Sequence, residues 1–152
     1  MDTKLRLDAI GRTLVQALQE NARASYAELG RLVGLSPPAV AERVKRLEDQ
    51  GIVKGFRAEI DRARLGYGLS AFVRLRCRAD RFPAVEEFAR DVPEVVECHE
   101  VAGEDAYVFK VVARSIQHLD EILLRLAAFG ATTSSIILSS PVANRVLQPA
   151  PE

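Results

Sequence analysis

The sequence predicts an α+β chain in two parts, a winged-type helix-turn-helix domain joined by a strand linker to a ferredoxin-like βαββαβ domain. Three observations carry this reading. Apolar residues recur at spacings of three and four from Leu7 to Leu47, the mark of helices that bury one stripe. The stretch GLSPP interrupts them where a tight turn has to lie. From Leu69 the period falls to two, and strand-like and helix-like runs then alternate to Leu138. The resulting divisions are 1–52 for the helical domain, 53–67 for strand and linker, 68–145 for the ferredoxin-like domain, and 146–152 for a tail whose QPAPE has the composition of a frayed end.

The first helix is read from Leu7, Ile10, Leu14 and Leu18, with Asp8 suited to its first turn. Ser25 and Glu28, three apart, make a capping box for a second helix that buries Leu29, Leu32 and Val33. Gly34 ends it, because glycine tolerates the left-handed conformation of a helix terminus. Ser36 then offers a capping hydroxyl, and Pro37 and Pro38 start a third helix at positions whose amides have no intrahelical partner. Only Gly34, Leu35 and Ser36 separate these two helices, so they must cross steeply. Projected at about 100° per residue, Val40, Val44 and Leu47 fall in one apolar sector. Pro38, Ala39, Glu42 and Arg46 lie opposite, with Arg43 and Lys45 on the flanks.

IVKGFRAEI has the β-branched and aromatic content of a strand, and DRARLGYG breaks the pattern as a linker. From Leu69 to Arg78, Ala71, Val73, Leu75 and Cys77 alternate with Phe72, Arg74, Arg76 and Arg78, which places one face inward. A helix over about Pro83 to Asp91 follows, with Val85, Phe88 and Ala89 inward, then strands over Val95–Val101 and Tyr107–Ala113. Ser115 caps a helix that buries Leu119, Ile122, Leu123 and Leu126, and TTSSIIL supplies the last strand.

Composition bounds function only loosely. Lysine plus arginine equals aspartate plus glutamate at 21 each, so the overall field favours no polyanion or membrane. Residues 1–66 carry 12 basic and 9 acidic side chains and the remainder 9 and 12, which tilts the helical half toward polyanions. No apolar run approaches the ~20 residues that span a bilayer, and the N-terminus lacks a signal-peptide core, so a cytoplasmic location is expected, with no membrane partner. Catalytic chemistry lacks a convergent set: there is no G-x-S-x-G, no phosphate-cradling glycine loop and no H-E-x-x-H. Cys98 and His99 are strand neighbours and point to opposite faces; a buried thiol and an exposed imidazole are expected, and His118 is read as solvated. The two histidines and two cysteines match no zinc spacing. The expectation is therefore a non-enzyme without catalytic residues, metal or cofactor.

The helix-turn-helix points toward duplex DNA, although such pairs also occur in purely structural packings. The third helix carries as many acids (Glu42, Glu48, Asp49) as bases (Arg43, Lys45, Arg46), so charge does not decide between them. Sterics favours DNA. Pro38 and Ala39 let the backbone approach a major groove before Arg43 and Arg46 reach phosphates or guanine edges. Glu42 and Arg46, four apart, also suit a surface ion pair.

The stretch LVGLSPPAVAERVKRLEDQGIVKGF resembles the DNA-binding helices of the Lrp/AsnC (leucine-responsive, feast/famine) transcriptional regulators, whose pattern runs GLS-P-x-x-x-x-R-[VI]-[RK]-R-L-E-x-x-G-[VI]-I. PEVVECHEVAGEDAYVFKV resembles the family's effector-binding module, and the resemblance extends from Leu7 to about Pro141. It implies a transcriptional regulator that binds double-stranded DNA as a homodimer assembling into a higher oligomer, with an amino acid or related effector held between dimers. Ser36, Pro38, Ala39, Arg43, Lys45 and Arg46 are the implied DNA contacts. Gly103, Glu104, Asp105, Ala106 and Tyr107 are the implied effector loop, and Thr132 and Ser134, alternate residues on one strand face, are read as its side-chain partners; a plain hairpin turn rich in glycine and acids is the alternative reading of that loop. Gly11 departs from the family's usual acid, Ala106 from the second acid of G-D-x-D-Y, and FGATT from the common P-G-V. The rival readings are a small-molecule-binding regulatory subunit that docks on proteins and an architectural DNA-binding protein.

Overall fold

A computed structural model describes residues 7–150. The chain divides into two compact units, Met1–Glu59 with Val142–Glu152, and Ile60–Pro141.

In the first unit, α1 (Ala9–Glu20) is capped by Asp8, whose Oδ1 accepts from the Gly11 amide at 2.7 Å. Helix α2 (Tyr26–Val33) starts on the complete Ser25–Glu28 capping box, and Gly34 ends it in the left-handed region at φ 70°. Helix α3 (Pro37–Asp49) follows. Ser36 stands at its N-cap but its hydroxyl makes no capping bond; Pro38 removes the second amide of the helix, while the Ala39 amide remains. Leu14, Leu18, Leu29, Val40, Val44 and Leu47 form the core between the three helices. Leu32, expected in the buried stripe, is 59% exposed. The inward sector of α2 is centred on Leu29, Gly30 and Val33 instead, since α3 approaches on the glycine side.

The expected strand over IVKGFRAEI carries no ladder in this chain. Ile52 and Val53 donate their amides to the Leu47 carbonyl and pack on the helical core, so their apolar content closes the end of α3. Residues 54–61 have no regular secondary structure. A strand needs a neighbour to satisfy its backbone, and among the described residues none pairs with this segment. The stretch after the last strand returns to the helical unit, where the Gln19 amide clasps Leu147: its Oε1 accepts from the backbone N–H at 3.0 Å and its Nε2 donates to the carbonyl at 2.8 Å.

The second unit is a four-stranded antiparallel sheet of β1 (Leu69–Arg76), β2 (Val95–Glu100), β3 (Tyr107–Ala113) and β4 (Ala131–Ile136), in the order β2-β3-β1-β4. Helices α4 (Phe82–Asp91) and α5 (Ile116–Ala127) connect β1 to β2 and β3 to β4. This is the ferredoxin-like order. Ala71, Val73 and Leu75 of β1 and Tyr107, Phe109, Val111 and Ala113 of β3 share a core with Val85, Phe88, Leu119, Ile122 and Leu126 of the helices. Phe72, Arg74 and Arg76 alternate outward, as the period of two requires.

His118 departs from its solvated reading. Its side chain is only 12% exposed, with Nε2 lying 3.3 Å from Glu94 and Nδ1 accepting from the backbone N–H and Nε of Arg114. Cys98 is half-buried against the core, where loss of solvation pushes its thiol upward, while the His99 side chain is exposed.

Candidate nucleic-acid interface and effector loop

Helix α3 is held by its valine side and open on the other. Val40, Val44 and Leu47 are buried, whereas Ser36, Pro38, Glu42, Lys45 and Arg46 are exposed and Ala39 and Arg43 are half-buried. Each face follows from the sequence spacing. The Arg46 guanidinium lies 2.6 Å from Glu42, one turn back, with both side chains about two-thirds exposed. Arg43 reaches across to α1 and lies 2.6 Å from Asp8 Oδ2. The Asp8 carboxyl is held below the usual carboxylate range, first by the Gly11 amide and then by Arg43. That cross-helix partner was not legible in the sequence, where Asp8 reads only as a residue of the first turn. Its sole trace is Gly11: a Cβ there would sit 3.0 Å from Asp8 Oδ1 and 3.1 Å from Leu7.

The second candidate site lies at the end of β1. Leu75 stands opposite Tyr107 on one side and Thr132 on the other, and its carbonyl accepts the Ala106 amide at 2.8 Å. The structure thus brings the loop Gly103–Ala106 and the first residues of β4 to flanking positions around one strand end. Gly103 is exposed with φ 143°, and Glu104 reaches back to Arg76 at 3.0 Å. Asp105 and Ala106 are half-buried. The Tyr107 side chain instead enters the core at 2% exposure, edge-on to Phe82, and its hydroxyl donates to Glu86 at 3.3 Å. Burial, then the Glu86 carboxylate, pushes that phenol up to about 12. Thr132 is half-buried and Ser134 exposed, both in register with core-facing residues of β1.

Three helices with so short a turn, the third free along its polar side, define a helix-turn-helix protein, and here that unit is carried with a separate α+β module. Two family models match the chain in the same order: the AsnC-type helix-turn-helix domain over residues 7–48 and the Lrp/AsnC ligand binding domain over residues 70–147. The transcriptional regulator LrpA of Mycobacterium tuberculosis is 39% identical over 145 residues, covering 91% of this chain and 95% of the relative. A Neisseria meningitidis transcriptional regulator solved as an L-Met complex superposes with a TM-score of 0.87 at 30% identity, covering 93% of this chain and 96% of that one. The M. tuberculosis feast or famine regulatory protein complexed with L-methionine does so with a TM-score of 0.85 at 38% identity, covering 95% and 100%. The chain belongs to the Lrp/AsnC family.

Proposed function

We propose that this chain is a sequence-specific DNA-binding transcriptional regulator whose operator affinity responds to an amino acid or related small molecule. The observation that carries the proposal is the open polar side of α3, with its small N-terminal residues leading and its arginines behind. A helix entering the major groove by its N-terminus needs that order: Ser36, Pro38 and Ala39 permit close approach, Arg43 and Lys45 position on phosphate, and Arg46 reads a base edge. A two-fold dimer would offer two such helices about 34 Å apart, matching successive major grooves. We assign dimer formation to the α+β units, with dimers assembling further.

The effector is assigned to the loop Gly103–Tyr107 with Thr132 and Ser134, at a contact between dimers. Exposed Gly103 leaves backbone open to an amino acid's charged ends, Thr132 lies opposite Leu75 at that strand end, and Ser134 lies two residues further along β4, opposite Val73. The crystallised relatives that hold methionine support this class of ligand. The expected location is the cytoplasm, and no catalytic role is assigned.

Selection of duplexes from a random pool tests the first half. Recovery of a palindromic consensus, with log affinity falling steeply against log salt, is expected of phosphate contacts. A chain that recovers no duplex refutes the assignment and favours a protein-docking module. A thermal-shift screen against the amino acids tests the second half, because a ligand that binds only the folded form raises the midpoint by mass action.

A further inference from the structure

The two arginines of α3 are each already paired with a carboxylate of the same unit. Arg43 is held by Asp8 and Arg46 by Glu42, both at 2.6 Å, so among the described residues only Lys45 of the helix's three cations has no carboxylate within ion-pair distance. Both guanidinium groups border one cleft of about 240 Å³ between the start of α1 and α3, lined also by Asp8, Gly11, Leu47 and Gln50. Asp8 is not a loose partner. Its Oδ1 is fixed by the Gly11 amide, which leaves Oδ2 aimed at Arg43 Nη1, and the missing side chain at Gly11 keeps that carboxylate seated.

Nonspecific DNA binding is mostly the exchange of counterions for protein cations along the phosphates. An arginine that already holds a carboxylate releases less on meeting a phosphate, and the carboxylate left behind repels the duplex. We propose that Asp8 and Glu42 are internal counterions that screen Arg43 and Arg46, suppressing attachment to random DNA and so widening the gap between operator and non-operator sequences. This rests on the assignment of α3 to DNA. Exposed ion pairs are weak, so a groove that also supplies base contacts and shape complementarity can displace them, whereas random sequence gains little by doing so. Asp8 and Glu42 are therefore specificity-determining residues without being contacts.

The test uses substitutions that remove charge and keep structure. Asp8→Asn retains an Oδ1 for the Gly11 amide, and asparagine caps helices as well as aspartate; Asp8→Ser is a second neutral cap. Glu42→Gln alters a side chain that is about two-thirds exposed and keeps its shape. Fluorescence anisotropy on a random-sequence duplex and on a duplex selected by the wild-type chain, each over a salt series, is the measurement. Affinity for the random duplex is expected to rise about threefold for Asp8→Asn or Glu42→Gln and about tenfold for the double variant. Its salt slope should steepen by roughly 0.9 per released arginine, and the selected-to-random ratio should fall. Unchanged or weaker random-duplex binding with an unchanged slope, in a variant that melts like the wild type, overturns the screening role while leaving the DNA assignment standing. A wild-type chain that selects no duplex from a random pool overturns both.

Discussion

The α-carbon of Gly30 faces the carbonyl of Leu35 so closely that a methyl group there would lie 2.4 Å from the oxygen. The same two residues are joined by the Leu35 amide donating to the Gly30 carbonyl at 3.0 Å. The α2–α3 turn is therefore folded onto a glycine inside a helix, where propensity alone disfavours glycine by roughly 1 kcal/mol. Gly30→Ala gains that propensity but forces the turn apart. The expected net effect is a loss of about 1 to 3 kcal/mol, with the recognition helix displaced and DNA affinity reduced. Gly34→Ala meets open space but must hold φ 70°, so a loss of about 1 to 2 kcal/mol is expected from conformation alone. Urea unfolding of both variants checks the pair, and an unchanged midpoint for Gly30→Ala would contradict the packing.

Gly30 also marks what the sequence could convey. Helix starts, the turn and the four strands of the sheet were legible because each is set by local chemistry: Ser25 with Glu28, Gly34, the paired prolines, the alternation from Leu69. Partners across elements were not. Leu32 fits the helical period as well as Gly30 does, and only the approach of α3 decides which faces inward. His118 reads as a surface residue until β2's neighbour Glu94 is placed beside it. IVKGFRAEI has strand composition, but two of its apolar residues are consumed by the end of α3, and pairing depends on a neighbour that its own composition does not specify. At the candidate sites, the polar side of α3 followed from its period, whereas the Asp8–Arg43 pair joins residues far apart in the chain and left no periodic trace.

Arg46 is two-thirds exposed and its pair with Glu42 spans one turn of the same helix. Such a pair contributes only about 0.3 to 0.5 kcal/mol to stability. Arg46→Ala should accordingly leave the melting temperature within about 2 °C while costing about 1 to 3 kcal/mol of operator binding if a bidentate base contact is lost. Anisotropy with a selected duplex measures the second quantity and calorimetric melting the first. Equal operator affinity in the variant would remove Arg46 from the contact set.

At Gly103 the backbone has φ 143°, and nothing lies within 4 Å of where a Cβ would stand. Any side chain there is strained by conformation, at a cost of about 1 to 3 kcal/mol, and an aspartate adds a charge beside Glu104 and Asp105. Gly103→Asp is expected to abolish amino-acid binding by reshaping the loop while basal DNA affinity persists, since the helical unit is compact by itself. Isothermal calorimetry against the ligand found in a thermal-shift screen is the measurement. Undiminished heat of binding would place the effector elsewhere.

Tyr107 provides a pH signature of the α+β core. Its ring is buried and its hydroxyl faces the Glu86 carboxylate, both of which disfavour a phenolate, so its folded value stands at about 12 against an unfolded value near 10. A group whose pKa rises on folding contributes stability that is complete below the unfolded value and is lost as pH climbs through the folded one. The unit should therefore keep this contribution up to about pH 10 and lose it between about 10 and 12. Of the chain's three tyrosines, one should escape phenolate formation, followed by ultraviolet absorbance, until unfolding releases it. In Tyr107→Phe the delayed fraction should vanish, with a stability change of about 1 kcal/mol or less at neutral pH, because the half-exposed Glu86 exchanges the lost bond for water. A delayed fraction that survives the substitution would mean that another tyrosine is the shielded one, and Tyr107 would then not be seated between Phe82 and Glu86 as described.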